Sequence, residues 1–276
     1  MQQRHQDRAL YFREQAQTCR HHYLPYLQSF SRITPQTRVL EVGCGEGGNL
    51  LPFAQAGCHV TGIDLAAGRI EEARRFFSQA NAQGTFLTAD IFQYAPMVQE
   101  RFDIIVMHDV IEHIADKEQL LCTLKGLLAP EGMLFVAFPA WQMPFGGHQQ
   151  ICHHALPARL PFIHLLPRAV YRGLLRLSGE SEGCINELMD IRSTRTTIGH
   201  FEKLARRHFR ITDRQLWFIN PHYETKFGLR PRKLWKSIGC LPVLNGFFST
   251  ACWYLLTRLE ENSRKSNSVQ NNFAIK

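Results

Sequence analysis

Along the first half of the chain, short apolar runs alternate with longer stretches whose apolar residues recur at helical spacing. Residues 7–29 predict a helix, with Leu10, Tyr11, Tyr23, Leu24 and Leu27 among its apolar positions. Arg38–Val42, His59–Ile63, Thr85–Thr88, Phe102–Met107 and Met133–Phe138 predict five strands. Helices are predicted over 48–56, 67–82 and 117–128, the last stopped by Pro130 and Gly132. Five apolar strands separated by helices imply an α/β fold with a parallel sheet covered on both faces. Ligands on such sheets bind at the carboxyl ends of the strands, so the residues that follow each strand matter most.

After Phe138 the pattern changes. Residues 139–194 are rich in Pro, His, Leu and Arg and read as an inserted subdomain. Residues 196–208 predict a helix with a Thr cap, and 209–219 and 250–259 predict two further strands with a basic loop between them. The expected organisation is an N-terminal helical segment (1–35), a main domain (36–260) with an insertion at about 140–195, and a polar, disordered tail (261–276).

The segment VLEVGCGEGGNL sets Gly43, Gly45, Gly47 and Gly48 directly after the first strand. Glycines let the chain turn tightly and let a ligand approach the main chain, and the following helix offers free N–H groups. The same letters satisfy the dinucleotide pattern GxGxxG through Gly43, Gly45 and Gly48, so the loop alone does not choose a ligand. Three carboxylates sharpen the choice. Glu41 disfavours a pyrophosphate and suits a cation such as the ammonium and sulfonium of S-adenosylmethionine. Asp64, ending the second strand, can accept both ribose hydroxyls, and Asp90, after the third, can accept from the adenine amino group. Each acid alone reads more simply as a cap or a solvated loop residue; three at successive strand ends do not.

The segments LEVGCGEGG, GIDLA, TADIF, FDIIVMHDVIEHI and LLAPEGMLFVAFP resemble the class I S-adenosylmethionine-dependent methyltransferases over residues 36–140. Within that class, VIEH followed by PEG looks most like the ubiquinone-biosynthesis O-methyltransferases and their small-molecule relatives. The resemblance implies a Rossmann-like, seven-stranded, mostly parallel sheet whose last strand is antiparallel, with 250–259 inserted beside 209–219. It implies that Gly43, Cys44, Gly45 and Gly48 line the methionine part of S-adenosyl-L-methionine, that Asp64 with Leu65 takes the ribose, and that Asp90 with Ile91 takes the adenine. His108 and Asp109 would flank the methyl group.

Methyl transfer from a sulfonium expels a neutral thioether, so the protein must align the acceptor, exclude water and, for a hydroxyl, remove one proton. Candidate bases are His108, Asp109 and His113 after the fourth strand, and His148, His153 and His154 in the insertion; the catalytic set expected is His113, Asp109 and His148. Asp109-x-x-Glu112-His113 is similar to the ExxEH ion sites of some RNA and quinone methyltransferases, but its first acid is Asp and many metal-free relatives carry EH. His148-x3-Cys152-His153-His154 has zinc donors without a second pair and reads as a polar lid loop. No metal ligand is therefore assigned.

Trp141, Met143 and Phe145 suit an apolar acceptor pocket under a lid, or simply pack the insertion, and Gly146 and Gly147 suit a hinge. Arg168, Arg172 and Arg176 share one helix face, which fits a membrane surface or a solvated lid helix. Arg230, Arg232, Lys233 and Lys236 form a second basic cluster beside Trp235.

The 276 residues are 45% hydrophobic and 20% charged, which excludes a wholly disordered chain. Charge is uneven: net −3 over residues 1–140 and net +11 over 141–276, so the second half suits an anionic or amphiphilic partner. Eight cysteines form no CxxC pair and read as reduced, mostly buried thiols. The N-terminus lacks an apolar leader core, and the stretch Leu241–Leu256 is broken by polar residues. A cytoplasmic protein is expected, with peripheral contact to the inner face of a membrane left open. The function expected is O-methylation of a small or lipid-like acceptor. The rivals are an RNA methyltransferase, a non-enzymatic S-adenosylmethionine-binding protein and an NAD-dependent oxidoreductase. HDVI stands where an NPPY-type tetrapeptide would support amino methylation of bases.

Overall fold

A computed structural model describes residues 7–259. The strands are β1 (Arg38–Val42), β2 (His59–Asp64), β3 (Thr85–Thr88), β4 (Phe102–His108), β5 (Leu128–Phe138), β6 (Phe209–Ile219), β7 (Arg232–Lys233) and β8 (Ala251–Arg258). They form one sheet in the order β3-β2-β1-β4-β5-β8-β6-β7. β1 to β5 pair in parallel, and β8 enters antiparallel between β5 and β6. This is the expected Rossmann-like arrangement, with eight strands rather than seven. The extra strand comes from the basic stretch read as a loop: Arg232 and Lys233 turn back along the free edge of β6, opposite Ile219 and Trp217.

The helices are α1 (Arg8–Thr18), α2 (Leu24–Gln28), α3 (Leu51–Gln55), α4 (Ala67–Gln79), α5 (Ile91–Tyr94), α6 (Lys117–Leu127), α7 (Ala155–Arg159), α8 (Arg168–Leu177), α9 (Glu182–Thr194), α10 (Ile198–His208), α11 (His222–Phe227), α12 (Lys236–Gly239) and α13 (Leu244–Phe248). A π-helical turn at Cys19–Tyr23 joins α1 to α2, so the helix read over 7–29 is one rod with a bulge. Side-chain caps begin several helices: Asp7 accepts Leu10 N–H at 2.8 Å, Asp116 accepts Gln119 N–H at 2.8 Å, and Thr197 accepts His200 N–H at 3.2 Å.

Strand alternation divides the core in two. Leu40, Ile105, Leu134 and Tyr254 face one side, with α6 and α10 supplying Leu121 and Phe201. Val39, Ile104, Phe135 and Trp253 face the other, with Leu27 of α2 and Ile70 of α4. The insertion carries a small separate core around Tyr171, Leu175 and Leu188. Six of the eight cysteines are buried, as expected; Cys122 and Cys240 are exposed, Cys122 because it falls on the outward side of α6 while Leu120, Leu121 and Leu124 face inward. Among the described residues no helix is long and apolar enough to cross a membrane. The tail from Glu261 lies outside the described residues.

Candidate active site at the carboxyl rim of the sheet

The loop after β1 turns through left-handed backbone at Gly43 (φ 70°), Gly45 (φ 53°) and Gly47 (φ 81°). At Gly43 a Cβ would fall 2.3 Å from Val110 Cγ2. Gly43 and Cys44 donate their N–H groups to Ile63 O, and Gly45 N–H donates to Asp64 Oδ2 at 2.9 Å. The other Asp64 oxygen accepts Ala66 N–H at 2.8 Å. The end of β2 therefore shapes the glycine loop. Cys44 contributes backbone only, since its buried Sγ lies where a Cβ on Gly62 would be 2.7 Å away.

Glu41 is buried beneath this loop. Oε1 accepts Asn49 Nδ2 at 2.8 Å, while Oε2 has no hydrogen-bond partner. Burial pushes its carboxyl up to about 8, against the Asn49 hydrogen bond. A buried carboxylate with one unpartnered oxygen is what a cationic ligand would complete. Asp90 caps α5 through Phe92 N–H at 2.9 Å and is half-buried. Leu65 is 73% exposed on the rim, whereas Ile91 turns its side chain into the sheet core.

Beyond β4 the chain bends sharply at Asp109, an exposed residue with φ 53°. His108 Nδ1 stands 3.5 Å from Asp109 Oδ2, and its ring packs on Tyr23 at 5.4 Å between centroids. One turn on, His113 and His148 meet edge to face at 5.2 Å, and His148 Nε2 lies 3.8 Å from Glu112 Oε1. The fourth-strand segment and the insertion thus converge: His113 and His148, expected together, are together. Desolvation lowers the His113 imidazole below its ordinary value, opposed by Asp109. Burial holds Glu112 well above the usual carboxylate range, reinforced by Asp109 and opposed by Lys117. Burial also brings Lys117 down to about 8, with Glu112 opposing, and its Nζ donates to Ile114 O and Thr194 O. That amine ties the end of the insertion to the start of α6.

The other histidines of the insertion do not join this group. His153 and His154 instead donate backbone N–H groups to Glu180, at 3.1 and 2.8 Å. Gly146 and Gly147 are not a hinge: both are buried where added Cβ atoms would lie 2.4 Å from Trp141 O and 2.2 Å from His164 Cβ. Trp141 packs edge to face on His164 and, with Met143, is buried within the insertion. Arg172 and Arg176 pair with Glu182.

The roof of the site was not legible in the sequence. Tyr11 of α1, Tyr23 of the π turn and Tyr223 of α11 all sit within electrostatic reach of Asp109; burial first, then that carboxylate, raises the phenols of Tyr11 and Tyr223. Thr18 Oγ1 and His222 Nδ1, 2.9 Å apart, lock α1 to α11. Glu46 anchors the roof by accepting from Arg8 at 2.8 Å. The one signal was the polar content of the first helix, whose buried face includes Glu14, Gln15 and Thr18.

A methyltransferase domain family model matches residues 40–136. A ubiquinone biosynthesis O-methyltransferase of Histophilus somni is 31% identical over 140 residues, 46% of this chain and 58% of that protein. One from Actinobacillus pleuropneumoniae is 34% identical over 121 residues, 41% of this chain and 50% of that protein. The chain thus spans about half the length of the curated relatives it matches. Among solved structures, the magnesium protoporphyrin IX methyltransferase of Synechocystis with bound SAH superposes with a TM-score of 0.53 at 16% identity, covering 89% of this chain and 84% of that one. A plantazolicin methyltransferase complex gives 0.52 at 15% identity, covering 92% and 86%.

Residues 40–136 thus match a methyltransferase domain, and the sheet has the fold of solved methyltransferases. Solved neighbours hold SAM or SAH, and the unpartnered Glu41 oxygen under a glycine loop with no room for a side chain at Gly43 fits such a cationic donor.

Proposed function

We propose that this protein transfers a methyl group from S-adenosylmethionine to a hydroxyl of a small, lipid-like acceptor. The observation that carries the reading is the meeting of His113 and His148 beside Asp109, under a roof of tyrosines. When bound, S-adenosylmethionine supplies an electrophilic methyl on a sulfonium. Glu41 receives the ammonium of its methionine part, with the main chain of Gly43, Cys44, Gly45 and Gly48 around it. Asp64 takes the ribose hydroxyls, Leu65 covers that edge, and Asp90 with the backbone of Ile91 takes the adenine. His108 and Asp109 border the transfer point.

His113, whose imidazole lies below its ordinary value, accepts the acceptor's proton. His148 orients it, and Asp109 stabilises the imidazolium that results. An apolar acceptor is favoured by the exposed apolar strip of Leu156, Val170 and Leu177 on the insertion, and by the names of the relatives. That strip also supports peripheral contact with a membrane.

Incubation with methyl-labelled S-adenosylmethionine and separate polyprenyl-phenol, lipid-extract and RNA fractions tests the reading. Label in a phenol or lipid hydroxyl is expected. Label confined to RNA, or none with any fraction despite donor binding, overturns it.

A further inference from the structure

The insertion holds a second group of chemistry-bearing residues that methyl transfer does not use. Cys152, at the end of a short helical turn, Glu180, after α8, and Cys184, in the first turn of α9, bring one ligating atom each to within 4.8 Å of the others. All three are buried. His153 adds an imidazole whose Nδ1 is 3.3 Å from Glu180 Oε2. Two sulfurs and a carboxylate oxygen thus converge from two separate pieces of chain, with an imidazole nitrogen beside the oxygen. The surrounding core is small, and both cysteines belong to it. A module with so little apolar interior gains much from a cross-link.

We propose that Cys152, Cys184, Glu180 and His153 bind a zinc ion that fastens the loop after Ile151 to α9. Zinc takes four such ligands at about 2.0–2.3 Å, which places two thiolate sulfurs about 3.8 Å apart. The two sulfurs and the Glu180 oxygen therefore need to close by only about an ångström. Thiolates select zinc over magnesium or calcium, which prefer oxygen. Each thiol releases its proton as its sulfur–zinc bond forms; two protons leave per ion and no electron is transferred. The backbone N–H groups of His153 and His154 already donate to the Glu180 carboxylate, at 3.1 and 2.8 Å. Those N–H donors would remain as the outer support of the ligand.

The test uses the full chain, purified without chelator and with thiols reduced. Elemental analysis is expected to find one zinc per chain. After chelation, cobalt(II) is expected to restore one equivalent, with a thiolate-to-cobalt absorption in the near ultraviolet. Cys152→Ser and Cys184→Ser each abolish that absorption, while S-adenosylmethionine binding by calorimetry reports that the main domain is folded. His153→Ala, at an exposed residue, lowers zinc affinity without disturbing the lid core. Chelation of the wild-type protein speeds proteolysis within residues 150–185. A reduced, folded, chelated protein that takes up neither zinc nor cobalt overturns the proposal. So does peptide mapping that finds a Cys152–Cys184 disulfide in the protein as purified, before any chelation. If both cysteine variants fail to fold, the wild-type titration and His153→Ala decide.

Discussion

The carboxylate of Asp64 accepts the backbone N–H of Gly45 at 2.9 Å, so the last residue of β2 holds the loop that leaves β1. One side chain thereby shapes the donor pocket and lies on its rim. Asp64→Ala removes both functions. S-adenosylmethionine affinity is expected to fall at least about tenfold, because a charged hydrogen bond is lost along with the loop geometry. Calorimetry checks this, and unchanged affinity refutes the role.

Glu41 makes stability and binding pull in opposite directions. Its folded-state carboxyl lies at about 8, above the ordinary 4.5. Its stabilising contribution is therefore fully present below pH 4.5 and lost as pH rises through 8. Glu41→Gln is expected to remove that slope, leaving the ligand-free variant more stable than wild type at pH 8.5 by an amount on the order of a few kcal/mol. The same variant binds S-adenosylmethionine more weakly. In the wild type, donor binding at pH 7 releases a proton, seen as a dependence of binding enthalpy on buffer ionisation heat. Equal observed enthalpies in phosphate and Tris, whose ionisation heats differ, would show that Glu41 does not ionise against the cation.

Gly48 is where the first helix meets the glycine loop. A Cβ there would fall 2.6 Å from Phe12 O and 2.6 Å from Gln15 Cβ. Backbone cannot give way as a side-chain tip can, so Gly48→Ala should cost about 1–3 kcal/mol. It should also lift α1 from the domain. Limited proteolysis near residues 8–18 is the readout, and a variant as resistant as wild type would show that the roof is held elsewhere.

His113 is expected to act as base, so His113→Gln should lower kcat by about 10²–10⁴ while leaving donor affinity intact. Because desolvation lowers its imidazole, the acid limb of the wild-type kcat/KM profile should fall below the ordinary histidine range near 6.5. His148→Ala should weaken kcat less and move that limb. A His113→Gln variant that keeps the wild-type kcat would remove His113 from the chemistry.

The parallel sheet, the glycine loop and the three rim carboxylates were legible because each depends on local pattern: apolar runs, punctuating glycines and acids at strand ends. The meeting of His113 with His148 was readable as a set of candidates but not as a contact, since it needs the insertion to fold back across β4. The roof was invisible for a related reason. Tyr11 and Tyr23 look like ordinary apolar positions of a helix, and nothing local says that this helix crosses the ligand rim. Gly146 and Gly147 misled because paired glycines suit flexibility and tight packing equally. Only their neighbours, Trp141 O and His164, decide between the two.

β6 and β7 reach the rest of the sheet only through β8, the last strand described and the one that fills the gap beside β5. Sheet order and synthesis order are therefore out of step. While the ribosome is still delivering residues 251–258, β6 has no neighbour to join it to β5, and the places of Trp253 and Tyr254 stand open on both faces. A nascent chain stalled before residue 251 exposes two raw edges, an invitation to chaperones and to aggregation that the finished molecule does not present.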